Sequence, residues 1–162
     1  MGAPRTLVAL SVAIVPLAQA DVLPPPRACA EAAGLGEQPV LLTVLSPRMV
    51  SSISEWPRMK SVARTLGLAV VAWRSPWVSE AEWRASVERA GWPADEAGAI
   101  DAVPLPCRAW VGHPNHFPYS VIVEGGRTHP WPIWGVLPDP AWVASLGCRR
   151  QALQGGGGGC GP

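Results

Sequence analysis

The cysteines are the residues of this sequence with the widest choice of chemistry. There are four, Cys29, Cys107, Cys148 and Cys160, and no two are close enough to form a Cys-x-x-Cys motif or a short metal-ligand spacing. In an oxidising compartment an even number of cysteines predicts disulfides rather than metal ligands. We expect Cys29, Cys107 and Cys148 to form disulfides, with the pairing left open. Cys160 lies in a glycine-rich end, and we expect it to be unpaired or joined to another molecule.

Two histidines lie close together in a proline-rich stretch. His113 and His116 are three positions apart, and with Met49 they offer a soft-ligand set of the kind that binds copper. No carboxylate or thiol nearby completes the set, so ordinary polar groups in a loop are the preferred interpretation. We therefore predict no cofactor, and we keep a metal carrier as an alternative. No hydrolase motif such as GxSxG or HExxH is present.

The amino terminus has the three-part pattern of a secretory signal. Arg5 is followed by an apolar run of about eleven residues, well short of the roughly 20 that span a bilayer. The run ends at Ala18-Gln19-Ala20, a small-residue cleavage pattern. We predict a signal peptide over residues 1–20, a periplasmic or secreted location, and no membrane span after cleavage. Loss of Arg5 takes the net charge from +1 to zero, which argues against nucleic acid as a partner.

Alternating apolar runs and amphipathic stretches give the order of elements that must position these residues. Two short apolar runs rich in valine predict buried parallel strands on either side of a helix that Pro57 kinks. Gly125-Gly126 predicts the turn of an antiparallel hairpin. The predicted elements are strands at 40–45 and 68–73, helices at 51–66, 79–90 and 139–146, an irregular segment at 94–106, and hairpin strands at 119–124 and 127–134. A proline-rich segment at 21–38 precedes them, and a disordered glycine-rich tail at 149–162 follows.

This order resembles the thioredoxin-like superfamily, over residues 39–148. The resemblance implies an α/β fold with a central mixed sheet, parallel β-α-β then an antiparallel hairpin, flanked by helices. In that family the first turn after a strand carries Cys-x-x-Cys, and a cis proline faces it. Pro118, directly before the hairpin strand, matches the proline, whereas the turn here reads Ser46-Pro47-Arg48-Met49 and has no cysteine.

The missing thiols decide the functional prediction. Dithiol exchange needs a thiolate at the start of a helix and a second thiol to resolve the mixed disulfide. Neither Ser46 nor Met49 supplies one. We therefore expect a noncatalytic periplasmic protein that binds, or assists maturation of, another exported protein or peptide. An atypical thiol-disulfide oxidoreductase using Cys29 and Cys107 is the first alternative, and a copper carrier is the second.

The tryptophans offer a further binding feature. Most of the nine occupy predicted core or hairpin positions. Trp77, Trp110 and Trp131 stand beside prolines or near glycine and could form an exposed aromatic surface, although packing within core and loops is the default.

Overall fold

The architecture is described from a computed structural model, for residues 23–155 and residue 160. The predicted signal peptide at 1–20 lies outside these residues, as does most of the glycine run. The helices are α1 (Arg27–Ala32), α2 (Val50–Ser54), α3 (Trp56–Thr65), α4 (Glu80–Arg89), α5 (Ala94–Gly98), α6 (Arg108–Val111) and α7 (Asp139–Leu153), with a 3-10 turn at Leu105–Cys107. The strands are β1 (Val40–Leu45), β2 (Ala69–Arg74), β3 (Tyr119–Glu124), β4 (Arg127–Thr128) and β5 (Ile133–Trp134).

The five strands form one mixed sheet. The order is β2-β1-β3-β4, with β5 also paired to β3; β1 and β2 are parallel, and β3 is antiparallel to β1. All six residues of β1 are buried, as its continuous apolar run predicts for a central strand. The buried Thr43 hydroxyl hydrogen-bonds the Ser120 hydroxyl of β3 at 3.0 Å. The predicted α/β thioredoxin-like fold class is confirmed.

The expectation of full burial for the second strand is wrong. Of the residues in β2, only Trp73 is buried, and the others are half-buried. The cause is its place at the edge of the sheet, where a single bridge from Arg74 to Ala102 is its one pairing on the outer side among the described residues.

Each face of the sheet carries its own apolar cluster. Alternating side chains of β1 divide between them, with Leu41 and Leu45 on one face and Leu42 and Val44 on the other. The first cluster is covered by α3, α4 and α7, which insert the fully buried Trp56, Trp83 and Trp142. The second is covered by α1, the 3-10 turn and α6.

Local structure differs from the prediction in two stretches. The helix expected at 51–66 is two helices, because the chain breaks at Glu55; Pro57 is the second residue of α3, where its missing N–H leaves no intrahelical bond unmade. The stretch expected to be irregular, 94–106, contains α5 and most of the 3-10 turn. Hydrophobic periodicity misses helices of about one turn, since they contain too few residues to show a repeat.

The last helix is longer than predicted, so the assignment of residues 149–162 to a disordered tail is wrong over its first part. Helix α7 continues to Leu153, and both Arg149 and Leu153 are buried against the domain. Arg149 Nε donates to the carbonyl of Trp131 at 3.0 Å. Tertiary contacts of these two side chains hold a segment whose composition alone favours disorder.

Among the helices of the described residues, none combines the length and the apolar character that a membrane span requires.

Candidate functional site

The turn after β1 is closed by its own hydrogen bonds. The N–H of Ser46 donates to Ser52 Oγ at 2.9 Å, and the N–H of Met49 donates to the Ser46 carbonyl at 3.2 Å. The Ser46 hydroxyl is 1% exposed and accepts from the N–H of Arg48 at 3.4 Å. Ser46 is therefore a structural residue of the turn and has no access to a substrate. Pro47 of the same turn is half-buried.

Arg48 ties the turn to the segment that follows β2. Its Nε donates to Glu82 Oε1 at 3.1 Å, and its Nη2 donates to the carbonyl of Trp77 at 2.8 Å. The hydrogen bond from Arg48 lowers the pKa of Glu82 and, in return, raises the pKa of Arg48. Ser79 caps α4, accepting from the N–H of Glu82 at 3.1 Å, as the capping-box pattern predicts. The guanidinium thus holds together two loops at the same end of the sheet.

Met49 occupies the position that faces the proline loop. Its Sδ accepts a hydrogen bond from the N–H of Phe117 at 3.0 Å. The following bond, Phe117–Pro118, is cis, and Pro118 is buried. The turn and the proline loop are therefore in direct contact, through a thioether. A thioether neither ionises nor forms a disulfide, so this contact supports no thiol chemistry.

Exposed apolar side chains surround this contact. Val50 is 78% exposed, Trp77 39% and Trp134 45%, which makes them three of the six large exposed apolar residues in the described chain. Val50 and Trp77 follow the carboxyl ends of β1 and β2, and Trp134 pairs with the start of β3. All three therefore lie at the same end of the sheet, next to half-buried Met49 and Phe117. We call this surface, made of Val50, Trp77, Trp134, Met49 and Phe117, the aromatic end.

Ring contacts hold the two tryptophans of the aromatic end in place. The Trp77 ring lies 4.8 Å from that of His113, and the Trp134 ring lies 4.9 Å from that of Tyr119. Burial raises the pKa of the Tyr119 hydroxyl to about 12, so it stays protonated at neutral pH. Each tryptophan therefore presents a supported ring to solvent.

The predicted aromatic trio is separated by the structure. Trp110 of α6 donates its Nε1 hydrogen to the Leu23 carbonyl at 2.6 Å, and the Trp131 carbonyl accepts from Arg149 of α7. Only Trp77 reaches the aromatic end. Trp134 is not among the three tryptophans predicted to form an aromatic surface. The alternation of buried Ile133 with exposed Trp134 along β5 is the pattern that indicates its outward orientation.

The candidate metal ligands contact different neighbours. The His113 ring lies against the Trp77 ring, and Met49 Sδ accepts a hydrogen bond from the N–H of Phe117. His116 lies near Gly135, since a Cβ atom added to this glycine would be 3.8 Å from the His116 ring. Across residues 23–155 and 160, no group of three His, Cys, Asp or Glu side chains is placed to hold a metal ion.

The structure pairs the first cysteine of the chain with the second, and the third with the fourth. Cys29 is bonded to Cys107, with both residues 0% exposed in the cluster under α1. Cys148 of α7 is bonded to Cys160, and both are half-buried. The expectation that Cys160 is unpaired or joined to another molecule is therefore wrong, because Cys160 is bonded to Cys148 of the same chain. Neither bridge contains a residue of the turn or of the proline loop.

This fold and this site define an α/β chain of thioredoxin-like fold in which the turn after β1 meets the cis-proline loop through the thioether of Met49. Among solved structures, DsbF of MTB matches with a TM-score of 0.51 and 16% identity, over 74% of this chain and 84% of that chain. A secreted Mycobacterium tuberculosis disulfide oxidoreductase homologous to E. coli DsbE matches with a TM-score of 0.47 and 15% identity, over 74% and 85%. No protein-family model and no curated protein matches the chain.

Proposed function

We propose that this chain is a noncatalytic thioredoxin-like protein of the periplasm that binds an extended segment of another exported protein at the aromatic end. The observation that carries the proposal is the Met49 Sδ to Phe117 N–H contact at 3.0 Å, which places a thioether at the junction of turn and cis-proline loop. Around it, exposed rings and Val50 offer apolar contact area and no reactive group.

Exposed tryptophans supported by a second ring are typical of binding surfaces. A rigid aromatic group loses little conformational entropy when a partner covers it, and such residues dominate the energetics of interfaces. An extended segment of a partner suits this surface better than a small metabolite, because the aromatic end is built from exposed side chains of separate segments along one end of the sheet.

The location is supported by the cysteine chemistry. Two disulfides fit an oxidising compartment, as does the predicted signal peptide. A partner that meets this chain there is itself an exported protein.

The alternative that uses Cys29 and Cys107 has little support. A thiol-disulfide exchange requires in-line attack on a sulfur, and neither residue of this bridge has any exposed surface. The bridge also spans 78 residues and joins α1 to the 3-10 turn, which is the role of a structural crosslink.

Binding to an unfolded exported protein tests the proposal. Reduced, carboxymethylated α-lactalbumin serves as the probe, with affinity measured by fluorescence anisotropy. Replacing both Trp77 and Trp134 by alanine is expected to weaken binding about thirtyfold or more, because truncating even one hot-spot residue costs about 2 kcal/mol or more. Leu105→Ala is the matched control, since Leu105 is 75% exposed but lies outside the aromatic end.

Insulin reduction in the presence of dithiothreitol supplies the second readout. The full chain is expected to add nothing to the background rate. Sustained turnover would contradict the proposal, as would unchanged α-lactalbumin binding in the double tryptophan variant.

A further inference from the structure

A groove between α2 and α4 begins where the aromatic end stops. Its volume is about 260 Å³, and its walls carry the apolar residues Pro47, Val50 and Ile53 on one side and Ala90 on the other. Val50 belongs to both surfaces and is 78% exposed. Val50 is therefore the point at which a chain segment lying on the aromatic end can continue into the groove.

The size of the groove limits what can occupy it. Sites for cofactors and small molecules usually have volumes of about 300–1,000 Å³. At about 260 Å³ the groove lies below this range, and it is large enough for an aliphatic side chain of a peptide. Its apolar walls favour such a side chain by removing hydrocarbon surface from water.

The charge at the groove is unbalanced. Arg89 of α4 lines it, and Arg89 forms no hydrogen bond or ion pair with any residue in 23–155 or 160. Two other arginines nearby are engaged, Arg48 with Glu82 and Arg84 with Glu80. A free guanidinium beside an apolar groove is complementary to a carboxylate that is held next to an aliphatic group, since guanidinium and carboxylate pair through two parallel hydrogen bonds.

We propose that the groove binds an aliphatic side chain of the partner's extended segment and that Arg89 binds the carboxylate of an adjacent Asp or Glu. The inference rests on the proposed function and names the partner sequence that this surface selects. Ser54 and Ser86 also line the groove and are small residues.

Selection from a random dodecapeptide library displayed on phage, with the full chain immobilised, tests this inference. The wild type is expected to enrich peptides in which Leu, Ile or Val stands within two residues of Asp or Glu. Arg89→Glu is expected to lose the acidic preference and to enrich Lys or Arg at that place. For a single synthetic peptide from the wild-type pool, Arg89→Glu is expected to weaken binding about three- to tenfold, the scale of an exposed ion pair.

Two controls separate the possible outcomes. Arg64→Glu makes the same charge change at an exposed arginine on α3, away from the groove, and is expected to leave the selected sequences unchanged. Ser86→Leu fills the groove and is expected to remove the aliphatic preference. If peptides are enriched through Trp77 and Trp134 but are indifferent to Arg89, the groove inference is overturned and the proposed function stands. If no peptide is enriched, both are overturned.

Discussion

Met49 and Phe117 are joined by a hydrogen bond from backbone to thioether, at 3.0 Å, although they lie 68 positions apart in the chain. The contact links the turn after β1 to the cis-proline loop before β3. Since these two loops flank the aromatic end, the geometry of the proposed binding surface depends on this pair.

Substitution of Met49 separates its packing from its hydrogen bond. Met49→Ala removes both and is expected to lower the free energy of unfolding by about 1–2 kcal/mol. Met49→Leu keeps the volume and removes only the acceptor, so a loss of less than about 1 kcal/mol is expected. Urea denaturation followed by tryptophan fluorescence measures both. Equal losses in the two variants would show that the thioether contact, and not the packing, stabilises the junction.

The two disulfides should differ in reactivity under native conditions. Cys29 and Cys107 are 0% exposed, whereas Cys148 and Cys160 are half-buried. Because exchange requires access to a sulfur, mild reduction followed by alkylation and mass mapping is expected to label Cys148 and Cys160 first. Labelling of Cys29 and Cys107 at the same rate would mean that α1 opens readily from the sheet.

Loss of the buried disulfide should have the larger effect on stability. The Cys29–Cys107 bridge closes a 78-residue separation and the Cys148–Cys160 bridge one of 12. Chain entropy gives about 4.5 kcal/mol for the first and about 3 kcal/mol for the second. The Cys29→Ala/Cys107→Ala variant also leaves a cavity in the core, which widens the gap. Thermal unfolding of the two double variants compares them directly, and a larger loss in the Cys148/Cys160 variant would be inconsistent with the chain-entropy argument.

His129 should make stability depend on pH. The residue is 6% exposed, and its Nδ1 accepts from the N–H of Trp131 at 3.2 Å. Burial, together with the charge of Arg149, lowers the pKa of His129 below its ordinary 6.5, although a hydrogen bond from the protonated ring to the Trp131 carbonyl opposes this. The unfolded chain therefore takes up the proton first as the pH falls. The contribution of neutral His129 is complete above about pH 6.5 and is lost as the pH falls below that value towards the pKa of the folded state.

Denaturation curves between pH 7.5 and pH 5 test this dependence, and His129→Gln is expected to flatten it. His113→Gln is the matched control, since His113 is exposed on the surface. A slope that persists in His129→Gln would assign the effect to another group.

The end of α7 should contribute to stability. Leu153 is 7% exposed and belongs to the cluster under α3 and α7. Leu153→Ala is expected to lower the free energy of unfolding by about 2–3 kcal/mol, at the low end for buried leucines because the site is near a helix end. Gln151→Ala, at an exposed position of the same turn, is expected to change it by less than about 0.5 kcal/mol. Equal effects of the two substitutions would show that the end of α7 behaves as part of the predicted disordered tail.

The amino-acid sequence by itself determined the framework. Continuous valine and leucine runs favour strands that are shielded on both faces, and Gly125-Gly126 favours a tight reversal, so the β-α-β unit and the hairpin followed from local physics. The absence of a thiol from the Ser46–Met49 turn was equally visible, because the loss of a chemical group needs no coordinates.

Contacts between distant residues were decided only by the tertiary structure. Which cysteines pair, that β2 lies at the edge, and that Arg149 and Leu153 hold α7 beyond residue 149 all depend on surfaces that meet after folding. The same is true of the contact between Met49 and Phe117, and of the exposure of Trp134 at the same end of the sheet as Trp77. The physical reason is that side-chain periodicity is set by neighbours a few positions away, whereas burial and pairing are set by the elements that pack against them.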